Sequence, residues 1–325
     1  MKTFLKGAAA LAALLFVTAQ AALAQDAHYP LTIESYNQDG VLVEQVFESA
    51  PERVVSISQA NTELLLALGL GDRIIATAHR FSPVDPNYAD EYNAIPFIAE
   101  SGYPSREVVI DQDPDLIVGW GSLFADDALG AAEEWHARGV HTYLMTNTVT
   151  GLGDRTIEWL YEDIETLGQI FDIEERAAEL IEEMQTRIAA VQDVVSQIPE
   201  DERVSVVSLQ YVYENEWLGR GGTDLNRNLV ELAGGNHLND NGQQSMEILL
   251  DLNPDYLVII DLSSSPTAEK REALEANPSL ASITAIRNDA YFSLDHVSFY
   301  CGAPRVVDAI EAMARAFYPD HFPDA

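Results

Sequence analysis

The sequence predicts an α/β protein of two lobes with mainly parallel sheets, joined by one long α-helix. Three observations predict it. Two separate regions carry short β-branched apolar runs that alternate with helical patterns. One long amphipathic helix lies between those regions. A Glu, six residues, Pro-Asp, then an apolar run occurs once in each region, from Glu107 and from Glu247. Strands alternating with helices in two halves make two Rossmann-like lobes the expected architecture.

The elements follow in chain order. Lys2 and Lys6, the uncharged apolar run 8–17 and Ala22-Leu23-Ala24 have the layout of a secretory leader cut near Ala24. The apolar run is shorter than the roughly 20 residues that span a bilayer, so an anchor is the weaker reading. Residues 25–50 read as an N-terminal extension. Residues 51–150 read as the first lobe, with strands from Arg53 to Ser58 and from Asp115 to Trp120. Both runs are apolar on both faces, as strands of a parallel sheet covered by helices should be. A helix from Asn61 to Leu68 stops at Gly69.

Residues 151–199 read as a linker containing the long helix. After Asp172, the residues Ala177, Leu180, Ile181, Met184, Ile188, Val191 and Val195 recur three or four apart, and Pro199 ends the pattern. That is one helix of about 23 residues, about 35 Å long. Residues 200–325 read as the second lobe, with strands from Arg203 to Leu209 and from Asp255 to Asp261. A helix from Leu225 to Leu232 is closed by Gly234-Gly235.

Composition narrows the function. The chain has 53 acidic and 18 basic residues, formally −35, and Lys270 is the one lysine beyond the leader. Such a field repels nucleic acid and anionic membranes. Cys301 is the single cysteine, so no intrachain disulfide forms. No GxSxG elbow, phosphate loop or Cys-His signature is present. Gly219-Arg-Gly-Gly222 lacks the Lys-Ser/Thr of a phosphate loop. A binding protein rather than an enzyme is expected, without an intrinsic cofactor and monomeric.

Residues 51–69 (PERVVSISQANTELLLALG), 113–119 (DPDLIVG), 253–260 (NPDYLVII) and 229–235 (LVELAGG) resemble the cobalamin- and ferric-siderophore-binding periplasmic proteins. These form the helical-spine, class III group of ABC-importer binding proteins. The resemblance spans roughly residues 50 to 318. It implies a periplasmic solute-binding component, a rigid spine helix, and a ligand held between the lobes. It also implies a permease dimer with its ATPase as partner, met by one Glu per lobe. Glu107 and Glu247 occupy those positions. By themselves, both are also simple helix-start carboxylates. The ferric siderophore is the first ligand expected, haem the second and cobalamin the third. A metal-chelate-binding module without a transporter is a further alternative.

In such folds the ligand lies beyond the carboxyl ends of the strands. Residues following strands are therefore the candidates: His79, Arg80, Tyr103 and Trp120 in the first lobe, and Tyr211, Tyr213, Trp217, Arg220, His296, Phe299 and Tyr300 in the second. The aromatics offer stacking surface, and arginine offers paired bonds to anionic oxygens. Arg80, Arg220 and Arg305 could together bind an anionic ferric chelate. His296 and Tyr300 could complete the coordination of an unsaturated ferric centre. Each aromatic could equally be core.

Overall fold

The computed structural model describes residues 28–99, 102–300 and 303–322, and of Tyr300 the backbone alone. The proposed leader and Cys301 lie outside the described residues.

Strands β1 (Leu31–Tyr36) and β2 (Leu42–Phe47) pair as an antiparallel hairpin. The Gln45 amide of that hairpin donates to the Thr142 carbonyl at 2.8 Å, which ties it to the first lobe. The first lobe contains β3 (Val54–Ile57), β4 (Ile74–Ala78), β5 (Phe97–Ala99), β6 (Leu116–Gly119) and β7 (His141–Leu144). Their order is β5-β4-β3-β6-β7, and every pairing is parallel. Every residue of β3 and β6 is buried, which accounts for their unbroken apolar runs.

The second lobe contains β8 (Ser205–Val212), β9 (Glu216–Gly219), β10 (Asn236–His237), β11 (Gly242–Ser245), β12 (Tyr256–Asp261) and β13 (Tyr291–Asp295). The order is β11-β9-β8-β12-β13, with β10 beside β8. The pairs β8–β12, β12–β13 and β8–β10 are parallel, whereas β8–β9 and β9–β11 are antiparallel. In each lobe the chain builds outward on one side of a central strand and returns to its other side. The reversal falls at β3/β6 and at β8/β12, where a crevice opens at the strands' carboxyl ends.

The two Pro-Asp motifs are equivalent. Helices Arg106–Ile110 and Met246–Leu252 follow Ser105 and Ser245, and each leads to a left-handed residue, Asp113 (φ 53) and Asn253 (φ 42). After Pro114 and Pro254, the Asp115 carboxylate accepts from the Glu52 and Arg53 amides at 2.7 and 2.9 Å. The Asp255 carboxylate accepts from the Ser205 amide at 2.9 Å and the Ser205 hydroxyl at 2.7 Å. Each Asp thus sets the register between the first strand of its lobe and the one beside it.

The long helix runs Glu174–Val195, and its buried residues are the seven whose spacing predicts it, from Ala177 to Val195. Burying each of the larger ones is worth about 1.5–3 kcal/mol before entropy is counted. The helix touches both lobes. Near its start the Arg176 guanidinium donates to the Ala67 carbonyl at 2.8 Å. Further along, Arg187 pairs with Glu311 of helix Val306–Phe317 at 3.0 Å, and the Gln192 amide donates to the Leu232 carbonyl. Among the described residues no helix is long and apolar enough to cross a membrane.

Candidate ligand cleft between the lobes

The carboxyl ends of the first lobe's strands deliver Ser58, His79, Phe81, Tyr103 and Trp120 to one face. Two of these have strained backbones: Ser58 has φ 105 and His79 has φ 60. Non-glycine residues in such conformations cost about 1–3 kcal/mol each and cluster at functional sites. The strain is held by ladder-like bonds: the Ser58 amide donates to Ala78, Gln59 to His79, and His79 to Ala99, at 3.1–3.2 Å. The His79 ring lies 5.2 Å from Phe81, 5.4 Å from Tyr103 and 5.6 Å from Trp120. Burial pushes its ionisation below the usual imidazole range, against a backbone hydrogen bond to Gly102. The Tyr103 hydroxyl and Ser122 share a 2.8 Å hydrogen bond that orients the phenol ring.

The second lobe meets this face with helix His296–Tyr300, directly after β13. The His296 ring sits 4.4 Å from Phe81 and 6.3 Å from Trp120, and stacks on Phe299 at 6.2 Å. Ala60 and Trp120 of the first lobe cluster with Val297 and Ala303 of the second. Burial, and then the nearby His79, Arg220 and Lys270, lower the His296 ionisation to about 4, so its ring is neutral at physiological pH. Behind it the Arg220 guanidinium lies over Phe299 at 5.7 Å. Buried Lys270 donates to the Ile260 carbonyl at 2.5 Å and lies over Tyr211 at 5.8 Å. Burial lowers its ionisation to about 8. The result is an aromatic and imidazole box shared by both lobes.

One flank of the box is ionic. Glu63, 1% exposed in helix Gln59–Ala67, faces Arg305 of the second lobe at 3.4 Å. Arg305 also donates to the Pro83 carbonyl at 3.1 Å and to the Asp295 carboxylate at 2.7 Å. Burial raises the Glu63 ionisation, and Arg305 opposes the rise. The Ser263 hydroxyl adds a bond to the Phe81 carbonyl at 2.8 Å. A cavity of about 500 Å³ opens beside this flank, lined by Asp85, Asn87, Asp295, Ser298 and Arg305.

Of the residues predicted to line the cleft, His79, Tyr103, Trp120 and His296 come together in the box, with Arg220 behind it. Trp217 does not. It is fully buried in the second lobe's own core, where its indole donates to the Ser245 carbonyl at 3.0 Å. The physical reason is that Trp217 lies within β9 rather than after a strand, on the sheet face that packs with Val207, Leu209 and Leu249. Arg80 is exposed, with its guanidinium over Phe97 at 5.2 Å on the first lobe. Tyr213, 49% exposed, stacks on Tyr211 at the turn between β8 and β9. Arg220 and Arg305 are each engaged by carboxylates. Arg220 donates to Gln210 at 2.6 Å and pairs with Asp224 at 3.4 Å, and Arg305 is engaged by Glu63 and Asp295. Glu107 and Glu247 are exposed in the first turns of their helices. The Tyr300 side chain lies outside what is described. Among the described residues, the group of three side chains able to share a metal is His28, Asp172 and Glu174, at the foot of the long helix and outside the cleft. Sequence reasoning missed Phe81, Glu63 and Lys270. A lone lysine in so acidic a chain was the one available signal, for Lys270.

A family model described as periplasmic binding protein matches residues 54–297. An uncharacterized ABC transporter substrate-binding lipoprotein, YvrC, of Bacillus subtilis is 24% identical over 297 residues, covering 90% of this chain and 87% of its own. A cobalamin-binding protein of Halobacterium salinarum is 23% identical over 284 residues, covering 83% and 70%. The crystal structure of an ABC-type Fe3+-hydroxamate transport system from Saccharomonospora viridis superposes with a TM-score of 0.74 at 27% identity, covering 89% of this chain and 99% of that one.

Proposed function

Because this chain belongs to the periplasmic binding protein family, we propose that it is the exported binding component of an ABC importer for a corrinoid, the cobalamin type of metal chelate. The observation that carries this reading is the box of neutral aromatic and imidazole rings reaching across both lobes, with Arg220 and Arg305 bound to carboxylates beside it. A large, flat, nearly neutral chelate gains from ring contacts and needs no cationic clamp. An anionic ferric chelate would approach a chain of charge −35 and find both arginines already paired. The named ligand of the Halobacterium relative agrees with this order. It moves the corrinoid ahead of the ferric siderophore that the sequence suggests. The hydroxamate system with the same fold keeps a ferric trihydroxamate as the second reading. Glu107 and Glu247 would meet the two halves of the permease.

Titration of the exported protein with cyanocobalamin tests the reading. Trp120, 6% exposed in the box, should be quenched, and the melting temperature should rise with ligand concentration. A response to a ferric trihydroxamate with none to cyanocobalamin establishes the second reading. Silence to both refutes both readings.

A further inference from the structure

We infer that His79 is an axial ligand to the metal of the bound corrinoid, binding it through Nδ1. The inference rests on the corrinoid reading above. Three observations meet at this residue. Its Nδ1 is buried and has no hydrogen-bond partner among the described residues, and a backbone hydrogen bond to Gly102 holds the imidazole. A histidine that donates one ring N–H to a backbone carbonyl has its tautomer fixed, with the lone pair of the other nitrogen presented for coordination. Second, an unsatisfied buried acceptor ordinarily costs stability, and here the backbone that carries it is itself strained, at φ 60. The fold keeps two unfavourable features at one residue, and a metal–nitrogen bond would satisfy the bare lone pair. Third, Phe81, Tyr103 and Trp120 surround the imidazole at 5.2–5.6 Å, so a macrocycle meeting Nδ1 would lie against rings.

The step is a ligand exchange without redox change. The cobalt–water bond of aquocobalamin breaks, a cobalt–Nδ1 bond forms from the imidazole lone pair, and the water leaves. Cyanide in cyanocobalamin is too strong a ligand to be displaced this way. The two forms therefore separate coordination from binding.

The test uses the whole exported protein with both probes. Aquocobalamin should shift its absorption bands to the red on binding, as imidazole ligation does, and cyanocobalamin should bind with its spectrum unchanged. His79→Asn removes the imidazole while keeping a residue that tolerates a positive φ. It should abolish the red shift, weaken aquocobalamin about ten- to hundredfold more than it weakens cyanocobalamin, and regain the shift on adding free imidazole. His79→Gly serves as a second variant with the same backbone freedom. Binding of both forms by the wild type without a red shift would overturn the inference and leave the corrinoid reading standing. A red shift that survives in His79→Asn and disappears in His296→Gln would assign the bond to His296 instead and equally overturn it. Failure to bind either form removes the corrinoid reading and this inference with it.

Discussion

Asp163 shows what one buried side chain does to this protein. It lies on helix Ile157–Ile170, fully buried, and accepts from the Tyr143 hydroxyl at 2.9 Å, the Thr146 amide at 3.0 Å and the Thr146 hydroxyl at 2.6 Å. Burial raises its ionisation to about 7, and those three bonds oppose the rise. In the unfolded chain a carboxyl titrates near 4. The folded value is the higher one, so its contribution to stability is full below about pH 4 and is lost as pH rises through about 7. The loss is on the order of 4 kcal/mol at most. Asp163→Asn has no such titration, so its thermal stability should lack the decline that the wild type shows between pH 4 and 7. Melting curves of both proteins across that range check it, and parallel pH profiles would refute it. Trp120 and Trp217 teach a related lesson. Both follow or lie in strands, yet one reaches the cleft and the other the core.

At the scale of elements, the paired helices Arg106–Ile110 and Met246–Leu252 carry the proposed docking pair. Each ends in a left-handed residue and a Pro-Asp that staples two strands, so each helix is held rigidly on its own sheet. Hydrogen bonds from its own backbone and from Ser105 keep the Glu107 carboxyl below its usual range, and the group is fully exposed. Exposed carboxylates add little to folding. Two weak contacts on one rigid body reinforce each other, so losing both should cost more than either single loss suggests. Glu107→Ala with Glu247→Ala should therefore keep the melting temperature and ligand affinity but lose most uptake and most ligand-stimulated ATP hydrolysis in reconstituted transporter. Normal uptake by the double variant would reduce both residues to helix-start carboxylates. Loss of ligand affinity would place them in the cleft.

At the scale of the whole molecule, the two lobes touch through the aromatic box and through Glu63–Arg305. A chain of charge −35 repels itself, and closure brings its charges nearer one another. The buried pair works against that repulsion. Removing Arg305 alone would strand the buried Glu63 carboxylate, at about 3–5 kcal/mol, and confuse folding with closure. Glu63→Leu with Arg305→Leu removes both charges together. This double variant should stay folded, show a larger radius of gyration by small-angle scattering, and bind ligand faster in stopped flow. An unchanged radius and rate would mean that the ion pair does not hold the lobes together.

By itself the sequence determined the two α/β lobes, the long helix to within a residue or two, and the Pro-Asp repeat. Each of these is carried by a local signal: β-branched runs, a 3.6-residue period, or a proline beside a helix stop. The burial of Ala177 through Val195 follows from spacing along one helix and needs no partner to be foreseen. Only the tertiary structure decided which side chains share the cleft. Trp217 turns inward because it lies within β9 on the face packed against Leu209 and Leu249, and the pairing of β9 with β8 is not encoded in the pattern of either strand. Phe81 and His296 meet although they are far apart in the chain, and the His79 backbone lies in the left-handed region that few non-glycine residues enter. Arg305 was legible as a cation near the cleft, but its engagement by Glu63 was not. That pair exists only because helix Gln59–Ala67 of one lobe and the residues before Val306–Phe317 of the other are brought face to face, and desolvation there makes a charge seek its opposite rather than a ligand.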